Sequence, residues 1–434
     1  MKSNYTILIF FVYLCGGMAR GTVVNSLTSV IITMYSKLTN NFSTTGYIMA
    51  FLATSTLIGS MLGSFIATKI ILKIGRKNSL IWFSFLAMIT NLSSMIPVHW
   101  IYLIVMKMIT GSCTSILITT IPMLFSEFVA PHLRGIFASL ISLFITTGVL
   151  FSALTEFWIV HSSNNKIFCV SFIPGAVFSA LVMIQSFWVK EQINEKQSTN
   201  LVNTIQTLST EKPDILSKKY RKCLILAIAI GPSQAGCGMN PVVQYASITF
   251  AHIFNSPYSG TLGQVLIISV NTVFALIMLP FVRKIRRRVL WFTSIFGSIV
   301  CLICELILEL ITIPETTRQL LKIILTGLCL VFFCIGLAPL FIVIQAEIFP
   351  LEVKTQFMNI SMSLSWISYI TTTQFYPLIP YWCSYIMFIT IETVCGLVMF
   401  KYLPETFNKT LNEIRQLMLI EDTPKVNLKE TNLC

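Results

Sequence analysis

The stretch from residue 231 to residue 246 places polar and helix-breaking residues inside a long apolar segment. Its sequence is GPSQAGCGMNPVVQYA. The amide side chains of Gln234 and Asn240 can donate and accept hydrogen bonds, and a solute covered in hydroxyl groups requires both. A plain membrane anchor needs no such groups at its centre, so the stretch predicts a binding site for a polar, uncharged solute.

Three residues of the same stretch predict a break in the helix. Gly236, Gly238 and Pro241 loosen a helix that would otherwise continue past Gln234. Irregular backbone is tolerated at membrane depth only where it lines protein or a watery cavity. A broken helix at that depth can also bend, so these three residues are predicted to form a gate beside the solute.

Three further apolar segments carry an amide or aromatic side chain at a similar predicted depth, namely Asn271, Phe333 and Trp366. Because a helix rises about 1.5 Å per residue, residues equally far from the inner ends of their segments lie at one level. Amides bind hydroxyl groups, and aromatic faces pack against the C–H faces of a sugar ring. Together with Gln234 and Asn240, these residues predict a substrate site in the second half, although each one alone also fits ordinary helix packing.

The composition requires these segments to lie in lipid. The chain has 434 residues, of which 55% are hydrophobic and 11% are charged, whereas soluble domains average about 25% charged residues. A helix needs about 20 residues to cross a bilayer. Twelve apolar runs of suitable length lie near 7–35, 45–70, 78–97, 100–127, 137–158, 166–189, 222–252, 260–282, 289–311, 322–348, 355–376 and 381–402. The prediction is an all-α membrane protein with twelve transmembrane helices and the lipid bilayer as its partner.

The net charge of +13 is distributed as a topology signal rather than as a nucleic-acid-binding surface. Most of the Lys and Arg residues fall in loops that share one side when the twelve runs alternate in direction. We therefore expect both termini to be cytoplasmic, the protein to lie in the cell membrane, and no nucleic acid to bind. Asn41 begins an Asn-Phe-Ser sequon in the first outer loop, which predicts glycosylation at that residue.

A polar segment divides the runs into two groups of six. The predicted parts are an N-terminal six-helix bundle at 1–189, a cytoplasmic linker at 190–221, a C-terminal six-helix bundle at 222–402 and a cytoplasmic tail at 403–434. Basic loops recur at matching places, LKIGRKNSL in the first group and VRKIRRRVL in the second. Such repeats predict two pseudo-symmetric bundles that rock around a central site.

Acidic and basic residues cluster at the predicted cytoplasmic mouth of both bundles. We interpret them as a latch whose charges pair when the inner side is closed and separate when it opens; the alternative is a set of topology charges. The latch residues are Arg76, Lys77, Glu127, Arg134, Arg287, Glu347 and Glu405.

These motifs resemble the sugar-porter branch of the major facilitator superfamily over most of the chain. IGRK at 74–77 is similar to the family's loop motif, and PETFNKTLNEI at 404–414 is similar to its ending after span 12. The residues that match its patterns in between are Pro122, Glu127, Arg134, Gly135, Gln234, Gly238, Asn240, Tyr245, Phe333, Pro339 and the AEIF stretch at 346–349. The resemblance is nearest to insect trehalose and hexose facilitators, and it implies the major facilitator fold.

The resemblance also implies roles for single residues. Gln234, Asn240 and Asn271 match sugar contacts of the family, Tyr245 matches its outer gate, and Pro339 belongs to its span-10 pattern and is added to the predicted gate. Departures from the family's patterns, which leave the identity of the solute open, occur at Leu72, Leu124, Ser142, Ala235, Arg283, Arg286 and Ile342.

The absence of a carboxylate from span 1 bears on whether transport is coupled to protons. Proton-coupled members of the family carry an aspartate in span 1, whereas the charged residue of this span is Arg20. Glu305 and Glu309 lie near the outer end of span 9, where we expect carboxylates to reach water. The prediction is facilitative uniport of a hexose or trehalose by alternating access. Proton-coupled transport, another small organic solute and a non-transporting sugar sensor are the alternatives.

No constellation in the sequence predicts an enzyme, a cofactor or a metal site. The four histidines lack metal-ligand spacing, and neither a phosphate-binding loop nor a nucleophile with an adjacent base is present. The twelve cysteines are scattered, mostly through the apolar runs, and are interpreted as inert buried thiols. No obligatory protein partner is evident.

Overall fold

The chain is helical almost throughout the part that the structure, a computed structural model, describes. That part comprises residues 2–25, 42–96, 99–128, 134–161, 170–189, 216–254, 257–350, 353–407, 409 and 411–418. The first six spans are α1 (Lys2–Asn25), α2 (Phe42–Ile74), α3 (Arg76–Ser93), α4 (Trp100–Phe128), α5 (Arg134–His161) and α6 (Ile173–Trp188). The second six spans are built from α7 (Arg221–Gly236), α8 (Met239–Phe254), α9 (Pro257–Met278), α10 (Phe281–Lys284), α11 (Arg287–Leu310), α12 (Glu315–Ile335), α13 (Leu337–Ile348), α14 (Lys354–Phe375) and α15 (Tyr381–Tyr402). A short helix, α16 (Leu411–Met418), follows them.

The spans differ in how strongly their own composition favours lipid. Within the described residues, nine helical stretches are long and apolar enough to cross a membrane by length and composition, and α1 adds a shorter apolar stretch, Leu8–Val24. The remaining two spans are α3 and α14. Serine, threonine and amide residues recur along α14, KTQFMNISMSLSWISYITTTQF, because much of this helix faces other helices rather than lipid.

Spans 7 and 10 are each interrupted in the middle by the same short pattern. The break between α7 and α8 falls at Gly238, whose φ of 71° is rarely adopted by a residue with a Cβ atom. The break between α12 and α13 falls at Gly336. In each case a proline follows three residues later, Pro241 or Pro339, and lies in the first turn of the next helix, where its missing N–H leaves no bond unmade.

The first bundle is held together by close backbone contact between α2 and α4. A Cβ atom added to Gly59 would collide with the main-chain oxygen of Met108, and one added to Gly111 would collide with that of Thr56. Glycine at these positions lets the two helices approach closely, which is how membrane helices gain packing energy without a hydrophobic driving force.

The two bundles meet along two equivalent seams. In one seam α2, the second span of the first bundle, packs on α14, the fifth span of the second bundle. In the other seam α5, the fifth span of the first bundle, packs on α9, the second span of the second bundle. The pseudo-symmetry that relates the two bundles therefore maps one seam onto the other.

Candidate substrate site

Gln234 lies in the last turn of α7, immediately before the break in span 7. Its side chain is partly buried and makes no hydrogen bond within the described residues. Its main-chain oxygen accepts a hydrogen bond from Sγ of Cys237 at 3.2 Å. An amide that the described part of the protein leaves unbonded is available to the hydroxyl groups of a bound solute.

Asn240 and Tyr245 connect α8 to the outer part of α14. Nδ2 of Asn240 donates to Oγ1 of Thr373 at 2.8 Å, and the hydroxyl group of Tyr245 donates to the main-chain oxygen of Thr373 at 3.4 Å. The ring of Tyr245 stacks on that of Tyr376, with centroids 5.7 Å apart and an interplanar angle of 22°. These contacts hold the second part of span 7 against span 11.

Asn271 of α9 is oriented by α12. Its Oδ1 atom accepts a hydrogen bond from Sγ of Cys334 at 2.6 Å, and the preceding residue, Phe333, packs partly buried against the hydrophobic core of the second bundle. Asn271 is 7% exposed. Because the oxygen of the amide is engaged, Nδ2 is the atom that this side chain can offer to a solute.

Trp366 lies near the middle of α14 and reaches across the seam to the first bundle. Its Nε1 atom donates to Oγ of Ser64 in α2 at 3.0 Å. Oγ of Ser64 lies 2.7 Å from Oγ of Ser115 in α4, within the same hydrogen-bonded chain. Among the described hydrogen bonds of the five predicted substrate residues, that of Trp366 is therefore the one that crosses to the first bundle.

The same place holds Arg20, to which the sequence assigned no role. Nη1 of Arg20 donates to Oγ of Ser60 at 2.6 Å and to Oγ1 of Thr114 at 3.1 Å. Its guanidinium carbon lies 5.1 Å from the centroid of the Trp366 ring, within cation–π distance. The centre of the protein thus carries a fixed positive charge beside a predicted sugar contact.

The predicted substrate residues fall into two pairs with Gln234 apart from them. Asn240 shares its partner helix, α14, with Trp366, and Asn271 is bonded to the helix that carries Phe333. No hydrogen bond among the described residues links one pair to the other, so the described bonds do not join the five residues into one cluster.

At the predicted cytoplasmic mouth, the described contacts of Arg287, Glu347 and Glu405 lie within the second bundle. Nε of Arg287 lies 3.0 Å from Oε1 and 2.9 Å from Oε2 of Glu347, and Oγ1 of Thr406 donates to Oε2 of the same carboxylate at 2.6 Å. Glu405 accepts from the main-chain N–H groups of Arg288 at 3.3 Å and Phe407 at 3.0 Å. These bonds join the inner ends of spans 9 and 10 to the segment after span 12.

The first-bundle members of the predicted latch are less completely described. Nζ of Lys77 donates to the main-chain oxygen of Phe187 at 3.0 Å, which connects α3 to the end of α6. Arg76 begins α3. The side chains of Glu127 and Arg134 lie outside the described residues, as does the predicted glycosylation site Asn41.

Two buried carboxylates were missed by the sequence analysis. Glu156 of α5 is 0% exposed and interacts electrostatically with Lys107 of α4, which is 4% exposed. Glu392 of α15 is also 0% exposed; Oγ of Ser298 donates to its Oε2, while its Oε1 has no hydrogen-bond partner among the described residues. Both could have been found in the sequence, because each is an isolated glutamate within an apolar run.

One expectation about carboxylates was wrong. Glu305 was expected to reach water, yet it is 2% exposed, because α12 and α15 cover it and Oγ1 of Thr326 donates to its Oε1 at 2.8 Å. Glu309, one turn further out, pairs with Lys322. A cavity of about 50 Å³ lies beside this group between α8, α12 and the segment from Tyr376 to Tyr385. It has room for about one water molecule.

The sequence from residue 11 to residue 418 matches the family model described as Sugar (and other) transporter. The chain belongs to this sugar transporter family. The predicted family is therefore confirmed, and so is the architecture of twelve transmembrane helices in two pseudo-symmetric bundles.

Relatives and solved structures agree with this assignment. The chain is 23% identical over 439 residues to the glucose transporter GlcP of Staphylococcus epidermidis, covering 95% of this chain and 97% of the relative. It is 23% identical over 400 residues to the facilitated glucose transporter member 3 of Canis lupus familiaris, covering 82% and 79%. The xylose transporter XylE from E. coli in an inward open conformation superposes with a TM-score of 0.75 at 18% identity, covering 96% of this chain and 100% of that one.

Membership of the sugar transporter family has two direct consequences. The protein is an integral membrane transporter with multiple spans, and it is not an enzyme. We therefore interpret the geometry of the candidate site in terms of solute passage rather than of bond-forming chemistry.

Proposed function

We propose that this sugar transporter family member is a facilitative carrier that moves a hexose or trehalose by alternating access. The observation that supports this function best is the contact of Trp366 with Ser64 of the first bundle. A carrier must let a solute reach both bundles, because the rocking of one against the other opens the site to each side in turn.

The predicted amide contacts suit a neutral, hydroxyl-rich solute. The side chain of Gln234 makes no hydrogen bond within the described residues, and Asn271 retains Nδ2 as a donor. Asn240 and Phe333 complete the proposed binding surface. Each of these groups can bind a sugar without a charge.

The gate is proposed to lie at the two broken spans. Gly236, Gly238 and Pro241 interrupt span 7, and Pro339 follows the break in span 10. The stacked rings of Tyr245 and Tyr376 would close the outer side when span 7 bends inward. The cytoplasmic charges would hold the inner side, with Arg287 and Glu347 as their central pair.

Uniport is the proposed mode because the charged group beside the central tryptophan is a cation. Arg20 occupies span 1, which in the described range Lys2–Asn25 contains no acidic residue. Proton-coupled transport is the second candidate, and the buried, partly unsatisfied carboxyl group of Glu392 favours it. A Cβ atom added to Gly236 would lie 3.3 Å from the side chain of Glu392, so this carboxyl group borders the bend in span 7.

The proposed setting is the cell membrane, with both termini cytoplasmic, Asn41 glycosylated on the outside, and the two bundles at 1–189 and 222–402 joined by the linker at 190–221. No cofactor or protein partner is required by this mode of transport. Accessibility of tags at the two termini in intact and permeabilised cells tests the orientation.

Uptake of radiolabelled glucose and trehalose into cells that lack their own sugar carriers tests the function. Saturable uptake that is the same at every external pH supports uniport. Uptake that follows an imposed proton gradient supports the symport candidate, and stoichiometric binding without flux would make the chain a sensor instead.

A further inference from the structure

Arg20 lies at the centre of the protein, in a site built by helices of both bundles. Its hydrogen-bond acceptor Thr114 is the middle residue of α4, and Ser60 and Trp366 lie near the middles of α2 and α14. The guanidinium group is therefore held about halfway through the bilayer. Arg20 is 5% exposed, so most of its surface has been removed from water.

The charge of Arg20 has no counter-ion in the part of the chain that the structure describes. Ion pairs of the described residues, such as Arg287 with Glu347, Arg318 with Glu315 and Lys322 with Glu309, do not include Arg20. A buried cation without an anion is costly, and such residues inside membrane proteins mark pathways for ions and substrates. This cost needs an explanation that packing alone does not supply.

The groups around Arg20 are oriented to present its charge rather than to neutralise it. Oγ of Ser60 donates to the main-chain oxygen of Thr56 at 2.7 Å, and Oγ1 of Thr114 donates to that of Gly111 at 3.2 Å. With their protons used in this way, both hydroxyl groups accept from Nη1 of Arg20. A guanidinium group has five N–H bonds, and those on Nε and Nη2 make no hydrogen bond within the described residues.

The unused N–H groups of Arg20 lie close to the indole ring of Trp366. The indole is a proposed sugar contact, and its own N–H is already committed to Ser64. A solute that reaches the partly buried edge of this ring meets the guanidinium group, which lies over the ring and has unused donors on Nε and Nη2. Carboxylates accept paired N–H groups of guanidinium in a planar, two-bond arrangement.

We propose that Arg20 forms an anion subsite in the central chamber and that the chain prefers sugar acids, in which one carboxylate accompanies a hydroxyl-rich ring. This inference rests on the proposed function, in which a sugar-sized solute passes through this chamber. One carboxylate matches the charge of Arg20, because the other described base that is buried in the first bundle, Lys107, already interacts with Glu156. A phosphate ester carries a charge of about −1.5 to −2 and would exceed that compensation.

The test compares three ligands of one shape with purified full-length protein in liposomes. D-glucuronate, D-glucuronamide and D-glucose share a ring and differ at one carbon, which carries a carboxylate, a neutral amide or a hydroxymethyl group. For the wild type, glucuronate should compete with labelled glucose at least about ten-fold better than glucuronamide, since a charge-assisted hydrogen bond is worth that factor or more. Labelled glucuronate uptake should also increase when the vesicle interior is made positive, whereas glucose uptake should not.

Variants locate the effect at one residue. Arg20→Gln should reduce the ratio of glucuronate to glucose uptake at least about ten-fold, and Arg20→Lys should retain part of the preference. Arg318→Gln removes one positive charge from the exposed outer segment and should leave the ratio unchanged. If Arg20→Gln cannot be purified as a folded protein, the wild-type comparison of glucuronate with glucuronamide still decides the question.

The outcomes separate the two proposals. Transport of glucose with equal or weaker competition by glucuronate than by glucuronamide would overturn the anion subsite and leave the sugar carrier standing. If no ligand is transported, thermal stabilisation of the wild type by glucuronate but not glucuronamide would retain the subsite and remove the carrier function. Absence of both transport and selective stabilisation would overturn the two together.

Discussion

Replacing Glu347 with glutamine is expected to weaken the inner side of the second bundle without changing its shape. The side chain bonds Nε of Arg287 through both oxygens, at 3.0 and 2.9 Å, and accepts from Thr406 at 2.6 Å. Glutamine fills the same volume but carries no charge. Arg287 then loses its ion-pair partner, and the inner end of α13 is held to α11 by a neutral contact.

The size of the effect follows from the number of bonds and their exposure. Hydrogen bonds to charged groups contribute about 1.5–3 kcal/mol. The side chains of Arg287 and Glu347 are 18% and 23% exposed, so solvent screens part of this interaction; we expect a loss of about 1–2 kcal/mol. If the pair forms in only one of two alternating states of similar energy, its loss moves their ratio about 5- to 30-fold. Uptake should fall accordingly, and Glu347→Arg, which places two cations together, should abolish it.

Uptake per molecule at the cell surface is the measurement, made together with the thermal unfolding temperature in detergent. Glu315→Gln provides a matched control, because it removes the acid of another ion pair, the one with Arg318. The side chain of Glu315 is 61% exposed. Exposed pairs contribute little, so the control should transport normally. Arg287→Gln combined with Glu347→Gln should cost little more than either change alone. Normal uptake by Glu347→Gln, or fully additive losses in the double variant, would refute the reasoning.

Three further predictions concern single positions. Gly238→Ala should lower the unfolding temperature and the amount of folded protein, because φ is 71° there and the new Cβ atom would lie 2.6 Å from the ring of Phe388. Gly327→Ala is the control, because its new Cβ atom would meet nothing within 4 Å, and it should be neutral or slightly stabilising. Asn240→Ala and Thr373→Val should each raise KM for sugar, and combining them should add little, because the 2.8 Å bond between the residues is already lost in either one; additive effects in uptake assays would argue against a shared role. Glu392→Gln should keep the unfolding temperature within a few degrees, because an amide can still accept from its serine partner; pH-independent uptake by this variant, where the wild type responds to a proton gradient, would assign coupling to this carboxyl group.

The sequence predicted the helices and their grouping well because both depend on local composition. Lipid requires long apolar runs, and polar segments separate these runs without any tertiary information. The glycines and prolines of residues 231–246 likewise predicted an irregular span 7. The break at Gly336 in span 10 was not predicted, although the same spacing of glycine and proline recurs there and could have been noticed by comparing the two spans.

Contacts between distant segments could not be predicted in this way. The partners of Arg20 lie 40 and 94 residues away along the chain, so its place beside Trp366 depends on how three helices of one bundle meet a helix of the other. The burial of Glu305 has a similar cause, because α12 and α15 cover a residue that lies near a helix end. Position along a span predicts depth, but the neighbouring helices decide whether water reaches that depth.

The paired breaks at Gly238 and Gly336 give the two bundles different mechanical properties. The spans of the first bundle that occupy the equivalent positions, α1 and α4, run without interruption through Lys2–Asn25 and Trp100–Phe128. We therefore expect bending to be concentrated in the second bundle, where half-helices can pivot while the remaining main-chain bonds stay intact. Within the described residues, the resemblance between the bundles extends to their layout but not to the continuity of these spans.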